Sequence, residues 1–140
     1  MKTEKPNVLL VEDNPADINL VEEALEEARL DCHLHIMRDG VRAIEFLERL
    51  DAQMDDPSPD VVLLDLNLPM IGGEEVLKRV RMSPKCIGVK VLIISSSDVP
   101  ADRERVMQLG ANDYFRKPSD LAQFMLLGAK VRTMIEEACA

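Results

Sequence analysis

Short apolar runs alternate with longer amphipathic stretches along the chain, about five times over. The first run, Asn7 to Val11 (NVLLV), is apolar almost throughout and ends in two acids, which predicts a strand covered on both faces. Asn14-Pro15-Ala16-Asp17 follows with a capping residue, a proline at the first helical position and an early acid. Ile18, Val21, Leu25 and Ala28 then recur at helical spacing. A second strand is predicted over 32–37, a second helix from the stripe Val41, Ile44, Leu47 and Leu50, and a loop over 51–59. Residues 61–64 (VVLL) form the most apolar run and deliver Asp65 at their carboxyl end, the pattern of a central parallel strand. A third helix from about Glu74, a fourth strand over 90–94 and a helix over 100–109 stopped by Gly110 come next. A short strand at Tyr114 and Phe115 follows, and the last helix opens at Ser119 with Leu121, Phe124, Val131 and Ile135 on one side. This order implies an α/β fold: a parallel sheet with right-handed crossovers and helices on both faces.

Composition narrows the setting. A chain of 140 residues has the size of one domain, taken as residues 1–140, and its 46% hydrophobic and 31% charged residues fit a soluble globular protein. No stretch approaches the roughly 20 apolar residues of a membrane-spanning helix. The polar residues 1–7 (MKTEKPN) lack the apolar centre of a secretory signal, so the expected location is the cytoplasm. A net charge of −9 and the absence of Trp argue against binding to phosphate backbones or stacked bases. Cys32, Cys86 and Cys139 are scattered and read as reduced thiols. His33 and His35 would share one strand face with Cys32 on the other, which does not assemble a metal site. Met125 and Met134 read as core filling, and Glu22, Glu23, Glu26 and Glu27 as a solvated helix face.

In an open parallel sheet, ligands gather outside the carboxyl ends of the strands. The residues just past the predicted strands are Glu12 and Asp13, then Asp65, Ser95 and Lys117. Glu12 and Asp13 alone would fit solvated loop acids equally well; with Asp65 and Lys117 the set points to chemistry. Three carboxylates held together repel, and a hard divalent cation, Mg²⁺ first among them, is the usual remedy. A carboxylate beside a cation, an ammonium and a hydroxyl suits a phosphoryl group, and one carboxylate oxygen can attack phosphorus.

The segments VLLVEDN, LLDLNLPMIGG, VLIISSS and GANDYFRKP resemble, in order and over nearly the whole chain, the signatures of bacterial two-component response-regulator receiver domains. The resemblance implies a flavodoxin-like (βα)5 fold, doubly wound, with sheet order 2-1-3-4-5. It implies Asp65 as phosphoacceptor, Asp13 and Asp65 as metal ligands, Glu12 reaching the ion through water, and the Asn67 carbonyl completing the set. Mg²⁺ is the implied cofactor, with Mn²⁺ able to substitute. Lys117 would contact the phosphoryl group, Ser95 would turn its hydroxyl toward it, Tyr114 would move inward with Ser95, and the Lys117-Pro118 bond would be cis. Ser95 stands where Thr is commoner, and the Gly72-Gly73 pair adds freedom beside the acceptor.

The function so implied is signalling without turnover of a separate substrate: a histidine kinase or phosphotransfer protein donates to Asp65, and a changed surface binds a target. The wording around the motifs is similar to stand-alone regulators paired with phytochrome-type kinases, and the last helix offers a face for a homodimer. The competing enzyme reading is a Mg-dependent phosphatase of the haloacid-dehalogenase kind, which needs a second Asp where Asn67 stands. A third reading is a scaffold that has lost phosphorylation, against which the complete set of acids, hydroxyl and Lys counts.

Overall fold

Five apolar runs pair into one parallel sheet in the computed structural model, which describes residues 5–53 and 58–139. The strands are β1 (Asn7–Val11), β2 (His33–Met37), β3 (Val61–Asp65), β4 (Lys90–Ser95) and β5 (Asp113–Arg116), in the order β2-β1-β3-β4-β5. Between and after them lie α1 (Pro15–Glu27), α2 (Gly40–Ala52), α3 (Gly73–Met82), α4 (Pro100–Gln108), α5 (Leu121–Phe124) and α6 (Leu126–Cys139). A short 3-10 turn spans Pro84–Cys86. This is the doubly wound, flavodoxin-like architecture that the alternation and the resemblance lead one to expect.

Because successive strand side chains point to opposite faces, each apolar run feeds two cores. Leu9, Val11, Val62, Leu64, Val91 and Ile93 pack with α2 and α3, while Val8, Leu10, Val61, Leu63, Leu92 and Ile94 pack with α1 and α6. The register then fixes which residues emerge together: Val11 pairs with Leu64, Leu64 with Ile93 and Ser95 with Arg116. The residues that follow β1, β3, β4 and β5 therefore reach the same edge.

Several boundaries differ from expectation. β2 starts at His33, one residue late, and α2 continues through Ala52, so the predicted loop loses its first two residues. The reason lies in Asp51, which accepts from Arg79 at 2.8 Å and from the Ser83 hydroxyl and so holds the last turn of α2 against α3. Positions 54–57 of that loop, residues 1–4 and the Cys139 side chain lie outside what is described. Asp120, not Ser119, caps the final helical segment by accepting from Ala122 N–H at 2.8 Å. That segment breaks at Met125, which leaves Leu121 exposed while Phe124, Val131 and Ile135 are buried. Cys32 and Cys86 are free thiols, and Met134 fills the core as expected.

At the edge remote from Asp65, Gly110 ends α4 with φ +108°, a conformation glycine takes at little cost. Arg81 donates to the Gly110 carbonyl at 2.7 Å and to the Val89 carbonyl at 2.9 Å, tying the end of α3 to the approaches of β4 and β5. On the opposite face α6 presses on α1 so closely that a Cβ on Gly128 would stand 2.0 Å from the Ala24 carbonyl oxygen. Gly128→Ala is expected to lower the unfolding free energy by about 1–3 kcal/mol through overpacking. Gly88→Ala, whose Cβ meets nothing within 4 Å, should change it far less; urea denaturation of both variants checks the contrast.

Candidate functional site

Pairing with β2 runs one residue beyond β1, since Glu12 donates its N–H to the Met37 carbonyl at 3.0 Å. This turns the Glu12 side chain inward, where it is 1% exposed. Asp65, the last residue of β3, is 5% exposed, and its Oδ1 accepts from the Asn67 N–H at 3.1 Å. Asp13 follows Glu12 at the surface. One carboxylate oxygen from each of Glu12, Asp13 and Asp65 lies within 4.8 Å of the others, a cluster buried on one side and open through Asp13. An all-oxygen donor set of this kind fits a hard divalent cation such as Mg²⁺ or Mn²⁺ and not a soft metal.

Lys117 closes the cluster from the far side of the sheet. Its backbone N–H donates to the Ser95 carbonyl at 2.7 Å, which places it one residue past β5 at the level of the acids. Its Nζ donates to Glu12 Oε1 at 2.7 Å and to Asp17 Oδ2 at 2.7 Å, and stands 3.6 Å from Asp65 Oδ2. Burial works against the ammonium, but Asp17 and Glu12 as hydrogen-bond partners outweigh it and hold the Lys117 pKa above the usual lysine value. Glu12 feels the opposite balance: burial raises its pKa, Lys117 lowers it, and Asp65 raises it again, leaving the carboxyl at about 7.

Ser95 is fully buried at the end of β4, where its Oγ accepts from the Ser97 N–H at 3.1 Å. Tyr114 is also buried; its hydroxyl donates to the Ser97 carbonyl at 2.9 Å, and the Arg103 guanidinium lies 5.8 Å from the ring centroid. The ring is therefore held between Ser97 and Arg103. Asn67 is exposed beside Asp65.

One expectation needs correction. The Lys117-Pro118 bond is trans, and no cis peptide occurs among the described residues. Trans is the lower-energy form of an X-Pro bond, and Lys117 reaches both Ser95 and the carboxylates with it. Gly72 has an ordinary φ of −71° and open space around its Cβ position, whereas a Cβ on Gly73 would lie 2.4 Å from the Asp65 carbonyl oxygen. A glycine there lets the start of α3 press against the end of β3.

Asp17 is the residue that sequence reasoning missed. Its first-turn position satisfied the helix dipole and concealed a second partner 100 residues away. The available signal was its place: it lies four residues beyond Asp13, in the first turn of the helix that leaves the acidic edge.

Comparison with known proteins places this geometry. Residues 8–127 match the family model of the response regulator receiver domain. The response regulator Rcp1 of Synechocystis sp. is 37% identical over 114 residues, covering 81% of this chain and 78% of its own. The Mn²⁺-bound form of Rcp1 superposes with a TM-score of 0.79 at 33% identity, over 91% of this chain and 92% of that one. The phosphorylated cyanobacterial phytochrome response regulator RcpA gives a TM-score of 0.83 at 31% identity over 95% of both chains. The receiver domain of the sensor histidine kinase PA1611 from Pseudomonas aeruginosa, with magnesium coordinated in its active-site cleft, gives 0.74 at 26% identity, over 95% of this chain and 99% of that one.

A folded-state pKa raised from 4.5 to about 7 makes Glu12 a source of stability below pH 4.5 that is lost as pH rises through 7. Without divalent cations, Glu12→Gln should therefore gain on the wild type between pH 5.5 and 8.5, by about 2 kcal/mol. Thermal melts of both proteins across that range check the slope; a constant difference would show that Glu12 does not titrate there.

Proposed function

The chain belongs to the response regulator receiver domain family, and from that premise we propose that Asp65 is the aspartate through which it takes part in two-component signalling. The donor is a histidine kinase, of phytochrome type, or a phosphotransfer protein. An Asp65 carboxylate oxygen attacks phosphorus as the phosphorus–nitrogen bond of a phosphohistidine breaks; the imidazole nitrogen keeps that electron pair and takes up a proton. Water later hydrolyses the acyl phosphate, so the protein catalyses its own phosphorylation and dephosphorylation and no other turnover.

Glu12, Asp13, Asp65 and the Asn67 carbonyl are the groups to hold Mg²⁺, directly or through water, with Mn²⁺ as substitute. When bound, the cation neutralises charge on the transferring oxygens. Lys117 contributes the second positive charge, and its reach across the sheet to Glu12 at 2.7 Å and Asp65 at 3.6 Å is the observation that carries the reading. Ser95 supplies the hydroxyl on the remaining side, and Tyr114, anchored on Ser97, reports its position to the surface formed by α4 and β5. Residues 1–140 act as one receiver domain in the cytoplasm, with neither nucleic acid nor membrane as partner and with self-association through the last helix. No described helix is long and apolar enough to cross a membrane.

The haloacid-dehalogenase alternative finds no support: the relatives are receivers, and Asn67 cannot donate the proton that turnover needs. With acetyl phosphate and Mg²⁺, the chain should take up label to at most about one phosphoryl group per chain, as covalent self-modification requires. Asp65→Ala or chelation should abolish labelling, and Lys117→Met should slow it by about 100-fold with the fold intact. Intact mass and radiolabel uptake measure this; a wild type left unlabelled, or rapid phosphate release that persists in Asp65→Ala, would contradict it.

A further inference from the structure

We propose that Asp17 is a positioning residue that holds the Lys117 ammonium in the resting protein and competes with the phosphoryl group for it. The inference rests on the receiver reading and adds a residue to it.

A lysine ammonium has three N–H donors. Glu12 Oε1 and Asp17 Oδ2 each take one at 2.7 Å, which leaves a single weak approach to Asp65 at 3.6 Å. A phosphoryl group on Asp65 brings three more anionic oxygens toward the same ammonium, and to turn more than its third N–H toward them Lys117 has to leave one existing partner. The two partners differ in how readily they can. The Glu12 side chain is 1% exposed, and its other oxygen already accepts from the Asn14 N–H at 3.2 Å. The Asp17 side chain is 22% exposed, so water can replace the ammonium there when Lys117 leaves.

Asp17 also stands outside the three-carboxylate cluster of Glu12, Asp13 and Asp65, so its contact with Lys117 is separable from metal binding. Nor does capping require it. Asn14 caps α1 through bonds from the backbone N–H groups of Ala16 and Asp17, and neither involves the Asp17 carboxylate. That carboxylate is therefore free to act on Lys117 from α1.

Asp17→Asn keeps the helix start and removes the charge, whereas Asp17→Glu keeps the charge. With Mg²⁺ present, Asp17→Asn should lower the half-saturating acetyl phosphate concentration by about three- to tenfold, with the maximal labelling rate little changed. It should slow loss of the label and tighten binding of beryllium trifluoride, read by calorimetry, by a similar factor. Asp17→Glu should stay near the wild type in all three measurements. A role confined to helix stability would shift the melting temperature and leave these values unmoved, which would overturn the inference. Weaker beryllium trifluoride binding by Asp17→Asn would overturn it as well, by showing that Asp17 delivers the lysine instead of withholding it. A wild type that takes no label at all would remove the receiver reading itself, whereas a labelled wild type matched by Asp17→Asn removes the Asp17 inference alone.

Discussion

Carboxylates crowded at one end of a parallel sheet repel one another, and here Lys117 is set among Glu12, Asp17 and Asp65, with Asp13 beside them. One ammonium cannot balance four acids. Together with burial, the larger cause, this crowding raises the Glu12 pKa to about 7, while hydrogen bonds to Asp17 and Glu12 keep Lys117 firmly charged. It also leaves the edge receptive to a divalent cation and, through that cation and Lys117, to a phosphoryl group. Site chemistry thus follows from an imbalance that the fold imposes.

The fold can impose it because the cost of crowding is spread over a well-buried scaffold. Leu9 to Val11, Val61 to Leu64 and Val91 to Ile94 are buried on both faces, so the strand ends have little room to spread apart. Close approaches reinforce this: Gly73 lets α3 meet the end of β3, and Gly128 lets α6 meet α1. Lys117 is fixed at its backbone to Ser95, and Ser95 in turn bonds Ser97, which receives the Tyr114 hydroxyl. Hydrogen bonds thus run from the Lys117 backbone through Ser95 and Ser97 to Tyr114.

Much of this was legible in the sequence because its signals are periodic or local. The apolar runs named the strands, and a parallel sheet necessarily gathers the residues that follow them, so Glu12, Asp13, Asp65, Ser95 and Lys117 could be listed together. What stayed hidden depends on contacts between elements distant in sequence. Asp17 looked like a helix-dipole acid because its partner lies just past β5, 100 residues away. The last turn of α2 is held by Arg79 and Ser83 of a different helix region, and Gly73 is required by the Asp65 carbonyl, a clash that only the packed structure displays. The trans Lys117-Pro118 bond departs from an expectation drawn from family resemblance, not from residue chemistry.

The central claim is convergence: side chains from β1, β3 and β5 share one cation-binding edge. Anomalous scattering from crystals grown with Mn²⁺ tests it most directly. The account predicts one strong peak in contact with the Asp13 and Asp65 carboxylates on the side open to solvent. A peak elsewhere, or none at that edge with manganese in excess, would contradict it.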